Sequence, residues 1–149
     1  MDFSVDQIDH VELLVPDRYE AAAWYRKTFG LRIILEFEFW AEDPQGPLMI
    51  ATPSGGTKLA LFTGNPVGSC EGRGFHLVAF RVGADQFLNF ISKLSDLMLR
   101  DQHGRAVSVD SVKDHQLAFS IYFCDPYGNQ FELTTYDYGE TKTALPESL

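Results

Sequence analysis

Hydrophobic and polar positions in the first half of the chain alternate at two periods. Apolar residues recur at every second position over residues 8–15, which predicts a strand, and at helical spacing over residues 18–29, which predicts a helix. Asp17 is placed to cap the start of this helix and Gly30 to end it. Three further strands are predicted between turn-forming stretches, at residues 31–40, 48–52 and 57–62.

The second half repeats this order of elements after a glycine-rich linker that begins at Gly64. A strand is predicted at residues 75–82, and a helix with an apolar stripe at residues 85–99. Three more strands are predicted at residues 106–112, 117–123 and 129–136. The tail after Tyr138 is polar, and we expect it to fray.

The repeat predicts the domain organisation and the fold class. Two βαβββ modules are expected at residues 1–64 and 74–138, followed by a polar C-terminal tail at residues 139–149. An internal repeat of this length constrains the fold more than any single motif. It predicts an α+β fold in which the two modules form a curved mixed sheet around a shared cavity.

Two histidines occupy corresponding places in the repeat. His10 and His76 lie near the start of the first strand of each half, 66 positions apart. A lone strand histidine is usually a satisfied structural group, but a repeated pair that meets in a cavity is costly to bury without partners. Binding to a metal would satisfy one nitrogen of each ring.

A carboxylate completes this candidate metal site. Glu132 stands in the last predicted strand between apolar neighbours that face the other way, and a buried carboxylate needs a cation or several donors. The alternative is an ordinary exposed strand residue. Two imidazoles and one carboxylate on separate strands can hold a divalent transition metal and leave positions open for a substrate.

The position that matches Glu132 in the first half is Ala60, when residues 58–62 are aligned with residues 130–134. A fourth protein ligand is therefore absent. About three positions of an octahedral metal remain for water, oxygen or a chelating substrate.

Charge and composition exclude several classes of partner. The 149 residues include 12 basic and 21 acidic side chains, for a net charge of −9, which argues against nucleic acid and anionic membrane surfaces. No apolar stretch approaches the roughly 18–20 residues of a membrane span, and the first residues lack the features of a signal peptide. Cys70 and Cys124 have no metal-type or disulfide spacing. We expect a cytoplasmic protein with reduced thiols.

Four stretches of the sequence resemble one known family, at residues 10–13, 24–31, 74–77 and 120–133. The chain is similar over residues 8–136 to the vicinal oxygen chelate superfamily, which includes glyoxalase I, extradiol dioxygenases, fosfomycin-resistance enzymes and bleomycin-resistance proteins. The resemblance implies a metal-dependent enzyme that binds a small-molecule substrate through two adjacent oxygens. It implies Fe(II), which we favour, or Mn(II), Ni(II) or Zn(II), and it implies a homodimer.

Departures from the family pattern help to choose the reaction. Glyoxalase I enzymes are expected to place a ligand where Ala60 stands, which disfavours that activity. Tyr122 lies ten residues before Glu132, a spacing similar to that of the active-site tyrosine of extradiol enzymes. We therefore favour an extradiol-like dioxygenase, in which His115 would move a proton and Tyr122 would steady an oxyanion. Core packing for Tyr122 and simple exposure for His115 are the alternatives.

Glu12 alternates with His10 and should share its face of the strand, so it could act as a base or contact the substrate. The alternative is that Glu12 is simply exposed to solvent at the end of the strand. The run at residues 37–40 alternates polar and aromatic side chains. It could form a wall for an organic ligand, although ordinary strand packing is the simpler expectation. His103 is expected in an exposed turn.

Two other activities stay open. A fosfomycin-type transferase needs cations around a phosphonate, for which Lys58, Lys113 and Arg81 are candidates. A metal-free protein of the bleomycin-resistance type would instead bind an aromatic ligand. Retention of all three ligand-type residues argues against that second possibility.

Overall fold

The computed structural model describes residue 4 and residues 6–65 and 77–147. It divides into two compact units, Met1–Val67 and Gly68–Leu149. Each unit is described by itself. The candidate ligand His76, the thiol Cys70 and most of the predicted linker lie outside the described residues.

The described residues of the first unit form one helix, one 3-10 segment and a four-stranded mixed sheet. Its elements are β1 (Val11–Val15), α1 (Arg18–Phe29), β2 (Arg32–Ile33), the 3-10 segment Leu35–Glu42, β3 (Leu48–Ala51) and β4 (Lys58–Thr63). The strand order is β1-β4-β3-β2, in which β1 and β4 are parallel and the other pairs are antiparallel.

Helix α1 begins and ends where the sequence predicts. The carboxylate of Asp17 accepts the backbone N–H groups of Tyr19 and Glu20, both at 2.9 Å. Gly30 has a φ of 72°, the left-handed conformation that favours glycine, and its N–H returns to the carbonyl of Arg26. These caps are local in sequence, which explains the agreement with the predicted bounds.

The predicted strand at residues 31–40 is wrong beyond its first residues. Only β2 pairs with β3, and the chain then turns into the 3-10 segment Leu35–Glu42. The guanidinium of Arg18 donates to the carbonyls of Ala41 at 2.9 Å and Asp43 at 3.1 Å, and to that of Gly46. These contacts hold the end of the 3-10 segment and the loop after it against helix α1.

The second unit repeats the topology of the first. Its elements are β5 (Val78–Arg81), α2 (Ala84–Ser92), α3 (Leu94–Leu97), the 3-10 turn Val109–Ser111, β6 (Lys113–Asp114), β7 (Phe119–Cys124), β8 (Gln130–Thr135) and α4 (Tyr138–Ala144). The strand order is β5-β8-β7-β6, again with the first pair parallel. The predicted α+β fold of two βαβββ modules is confirmed.

Two elements of this unit differ from prediction. The helix predicted at residues 85–99 is broken at Lys93, and Met98 after it has a φ of 50°. The strand predicted at residues 106–112 is largely a loop that contains Val109–Ser111. Here Ser108 and Ser111 satisfy each other's backbone N–H groups in a capping box, which stabilises a helical turn in place of a strand.

The expectation of a frayed tail is also wrong. Helix α4 follows β8 directly and contacts α2. Thr141 is fully buried, Leu145 is nearly so, and the Thr141 hydroxyl donates to the carbonyl of Asp137 at 2.8 Å. The Asp137 carboxylate accepts the N–H of Ala84 at 2.9 Å. Asp137, which directly precedes α4, thus binds the first N–H group of α2.

The strand registers give an independent alignment of the two halves. In the first sheet Glu12, Ala60 and Met49 stand opposite one another on adjacent strands. In the second sheet Ala79, Glu132 and Tyr122 form the corresponding row.

The alignment of the two halves by strand register differs by one residue from the alignment that pairs His10 with His76. Because Glu12 matches Ala79, the position that matches His10 is Leu77, which directly follows His76. His76 itself lies outside the described residues, so its part in a site stays a prediction. In the described part of the chain, no helix is both long and apolar enough to cross a membrane.

Candidate functional site

Glu132 in β8 is a half-buried carboxylate held by a hydroxyl. The buried Ser120 donates to its Oε1 at 2.6 Å, and Ser120 Oγ also lies 3.0 Å from Thr134 Oγ1. Among the described residues, no lysine, arginine or histidine lies within ion-pair distance of Glu132. The hydrogen bond thus fixes the orientation of the carboxylate, and no cation in the described part of the chain neutralises it.

Tyr122 and His115, predicted to act together, are in contact. The phenol oxygen of Tyr122 lies 3.1 Å from Nε2 of the exposed His115. Burial raises the pKa of Tyr122, and the negative charge of Glu132, its partner across the strands, raises it further. The phenol is therefore protonated at neutral pH, with an exposed imidazole beside it.

In the first unit, His10 is fixed by two residues that sequence reasoning did not connect to it. Asp9 Oδ2 lies 2.8 Å from Nδ1 of His10, and Lys58 Nζ lies 2.7 Å from Asp9 Oδ1. The hydrogen bond from Lys58, and after it that from His10, holds the pKa of Asp9 below its usual value. With Nδ1 engaged, the nitrogen left for a ligand is Nε2, which is 3.8 Å from Glu12 Oε1.

A cavity of about 270 Å³ lies beside His10 in the first unit. Its lining residues are Asp9, His10, Phe37, Trp40, Pro47, Met49, Lys58, Ala60 and Phe62. The rings of Phe37 and Trp40 are stacked, with centroids 4.6 Å apart and planes 3° from parallel. Phe37 and Trp40 thus line a cavity, and the simpler expectation of strand packing is wrong, because the run at residues 37–40 lies in the 3-10 segment.

A second cavity, of about 410 Å³, lies in the second unit. Tyr122, Lys113 and Arg105 are among its lining residues. Arg105 is paired with Asp101 at 2.9 Å, so Lys113 is the cation there without an ion-pair partner among the described residues. His103 also lines this cavity and is exposed in a turn, as expected.

Each of the two described candidate ligands, taken by itself, keeps a donor atom of a type that divalent transition metals bind. His10 has one ring nitrogen engaged by Asp9, and Glu132 has one oxygen engaged by Ser120, so each keeps a second donor atom. Outer hydrogen bonds of this kind orient metal ligands in proteins. Within the described residues alone, no three His, Cys, Asp or Glu side chains cluster into a metal site. The predicted set also requires His76.

Comparisons with known proteins agree on the fold. A family model described as the Glyoxalase/Bleomycin resistance protein/Dioxygenase superfamily matches residues 7–133. No curated protein matches the sequence significantly. The family match confirms the resemblance predicted from the four sequence stretches.

Several solved structures are similar at low identity. The fosfomycin resistance protein FosX from Listeria monocytogenes is 16% identical with a TM-score of 0.63, and the match covers 93% of this chain and 99% of that one. A glyoxylase/bleomycin resistance protein/dioxygenase domain from Frankia sp. EAN1pec is also 16% identical, with a TM-score of 0.67 and coverage of 89% and 93%. Oxidase ChaP-H2 is 19% identical, with a TM-score of 0.62 and coverage of 93% and 99%.

One of these relatives has been solved with a ligand. A mutant of the Listeria FosX was crystallised with Mn(II) and 1S,2S-dihydroxypropylphosphonic acid, at 16% identity and a TM-score of 0.61, over 93% of this chain and 97% of that one. At such identities the likeness shows the fold.

Proposed function

Because the chain belongs to the glyoxalase/bleomycin resistance protein/dioxygenase superfamily, we propose that it is an enzyme that binds a divalent transition metal through His10, His76 and Glu132. The metal would act as a Lewis acid toward a small substrate that offers two adjacent oxygens. The observation that carries this proposal is the state of Glu132, a half-buried carboxylate fixed by Ser120 without a cation among the described residues. A positive partner would stabilise a carboxylate that is partly removed from water.

The second unit supplies a proton donor for this chemistry. The raised pKa of Tyr122 keeps its phenol protonated, so the hydroxyl can donate a hydrogen bond to negative charge that develops on a bound oxygen. His115 Nε2, 3.1 Å from that hydroxyl, is placed to pass a proton between Tyr122 and solvent. Glu12, whose side chain is 66% exposed, lies near His10 Nε2 and is proposed as a substrate contact or base.

Within the superfamily we favour an extradiol-like dioxygenase with Fe(II). The Tyr122–His115 pair supports this choice, because ring cleavage of a catecholate needs both a donor and a proton acceptor. A fosfomycin-type transferase is the second candidate, supported by the fold shared with FosX. Of its three candidate cations, Lys58 is already bound to Asp9. Lys113 and Arg81 have no ion-pair partner among the described residues. The absence of a carboxylate at Ala60 disfavours a glyoxalase-like lyase.

Metal analysis of protein purified without chelators tests the proposal first. We expect about one equivalent of a transition metal, lost in His10→Ala, His76→Ala and Glu132→Ala and retained in His103→Ala. The control changes a histidine in an exposed turn. Protein that never contains metal and binds its ligand equally well in all four variants would instead indicate a binding protein.

Oxygen uptake then tests the reaction. Protein loaded anaerobically with Fe(II) is expected to consume oxygen on at least one catechol, and Tyr122→Phe should slow this about 100-fold or more. Absence of uptake with a metal-loaded protein would favour a transferase or isomerase. We also propose a cytoplasmic homodimer, and light scattering after gel filtration tests the dimer.

A further inference from the structure

We propose that Tyr138 in helix α4 is a positioning residue, which acts through Asp114 to keep the His115 ring against the Tyr122 hydroxyl. The inference rests on the proposed function, because His115 is the residue to which that function gives the task of moving a proton. It goes further in assigning a role to the C-terminal helix, which contains none of the predicted site residues.

His115 lies in the tight turn that joins β6 to β7. Its backbone N–H donates to the carbonyl of Ala118 at 2.9 Å, and Asp114 before it pairs with Phe119. Within this turn, Gln116 has a φ of 70°, a left-handed conformation that residues other than glycine rarely adopt. Such a conformation persists where the surrounding structure holds it in place.

The Asp114 carboxylate is a group that holds this turn. Its Oδ1 accepts the N–H of Gln116 at 2.7 Å, and its Oδ2 accepts the hydroxyl of Tyr138 at 2.9 Å. The bond from Gln116 is the main cause that keeps the pKa of Asp114 below its usual value, and the bond from Tyr138 adds to it. One carboxylate therefore joins the turn that carries His115 to helix α4.

The Tyr138 side chain is itself held by two further contacts. Its ring stacks on that of Phe119, with centroids 4.8 Å apart and planes 8° from parallel, and Phe119 is buried in the core of the second unit. Lys142, one turn later in α4, donates to the Tyr138 oxygen at 3.3 Å, so the phenol proton is left for Asp114. A ring fixed in this way can hold the Asp114 carboxylate in one orientation.

The other end of this series of contacts is the proposed proton carrier. The exposed His115 ring meets Tyr122 through Nε2, 3.1 Å from the hydroxyl, and stands edge-on to the phenol, with centroids 6.3 Å apart. An exposed side chain has other rotamers open to it. Proton transfer needs hydrogen-bond distance, so a fixed turn raises the share of time in which the transfer can occur.

NMR of the metal-free protein tests the positioning without any assumption about a metal. The ring protons of His115 and Tyr122 should give a cross-peak, because the two rings are in contact. We expect Tyr138→Phe, which keeps the stacked ring and removes the hydroxyl, to lose most of this cross-peak. Tyr136→Phe is the matched control, because Tyr136 is 64% exposed and its hydroxyl makes no hydrogen bond within the described residues.

Hydrogen exchange at the Gln116 amide tests the route through Asp114. This amide donates to the carboxylate that Tyr138 holds, so we expect Tyr138→Phe to speed its exchange about threefold or more. Asp114→Ala removes both hydrogen bonds and should speed the exchange at least as much, with the same loss of the cross-peak. Thermal unfolding of each variant checks that it folds.

Kinetics tests the consequence for the reaction. On a catechol that supports oxygen uptake by the Fe(II)-loaded protein, we expect Tyr138→Phe to lower kcat about tenfold and to leave KM within about twofold. The reason is that a displaced His115 slows proton transfer without changing how the substrate is bound. His115→Ala should lower kcat at least as much.

Failure of this inference and failure of the proposed function give different results. A cross-peak that is unchanged in Tyr138→Phe, or that falls equally in Tyr136→Phe, would overturn the inference whether or not the protein binds metal. Its loss without faster exchange at Gln116, or an unchanged kcat where His115→Ala lowers it, would do the same. Loss of the cross-peak and faster exchange in a protein that never takes up metal would support the positioning by Tyr138 while refuting the metal enzyme.

Discussion

The Ser120 hydroxyl donates to Glu132 Oε1 at 2.6 Å although the two residues are not opposite each other in the sheet. Ser120 pairs with Thr134, and Glu132 pairs with Tyr122. The contact is therefore diagonal, between neighbours on the same face of β7 and β8. It turns one carboxylate oxygen toward the buried hydroxyl and leaves the other for a different partner.

Removal of this hydroxyl should weaken metal binding more than it affects folding. We expect Ser120→Ala to lower the affinity for Mn(II) about 10- to 100-fold, the usual effect of losing an outer hydrogen bond to a ligand. Titration calorimetry measures the affinity, and Ser120→Thr, which keeps a hydroxyl, should restore most of it. Equal affinity in Ser120→Ala and the unmodified protein would contradict this role.

The pair of Asp9 and Lys58 should act on metal binding through His10. Asp9→Asn leaves a weaker acceptor for the ring Nδ1, so we expect about a tenfold loss of Mn(II) affinity and a shift of the His10 tautomer toward protonated Nε2. Nitrogen NMR of the imidazole reports the tautomer without metal. Lys58→Met, which removes the hydrogen bond that lowers the pKa of Asp9, should raise that pKa. A tautomer ratio that is insensitive to Asp9→Asn would contradict the assignment.

The phenol of Tyr122 should titrate above the ordinary tyrosine value of about 10. Since the folded protein holds this proton more tightly than the unfolded chain, its contribution to stability is present below pH ~10 and is lost as the pH rises through the folded pKa. The difference between the ultraviolet titration curves of the metal-free protein and of Tyr122→Phe isolates the ionisation of this phenol. Glu132→Gln should lower the pKa of Tyr122, because it removes a neighbouring negative charge. An unshifted titration in Glu132→Gln would show that burial alone raises the pKa.

Gly46 should tolerate no side chain. A Cβ there would collide with the carbonyl oxygen of Trp40 and lie 3.3 Å from that of Asp43. We expect Gly46→Ala to reduce the free energy of unfolding by about 1–3 kcal/mol, as overpacking does. Urea unfolding measures it, with Gly56→Ala as the control, since its nearest neighbour would be the Ser54 hydroxyl at 3.5 Å. Equal stability of the two variants would show that the loop relaxes freely.

The sequence was most informative where the decisive contacts are local. The bounds of α1 follow from Asp17 and Gly30, which act within one helical turn. The placing of Tyr122 near Glu132 also follows from a short connection, because a tight turn joins β7 and β8 and sets their register.

Contacts between distant residues could not be read in this way. Residues 31–40 have the alternation of a strand, but Arg18 binds the carbonyls near the end of the 3-10 segment, and that tertiary contact prevails over the local pattern. Asp9 and Lys58 are 49 positions apart and meet because β1 and β4 run parallel. The row that matches Glu12 to Ala79 likewise depends on pairing that no motif encodes.

The corresponding rows of the two sheets carry opposite chemistry. Where the second half has Glu132 beside Tyr122, the first half has Ala60 beside Met49. The two halves share one strand arrangement, yet the second carries an ionisable pair at the row where the first carries an apolar pair. Substitutions at Ala60 or Met49 would accordingly reshape the cavity of the first unit and leave the proposed metal ligand Glu132 unchanged.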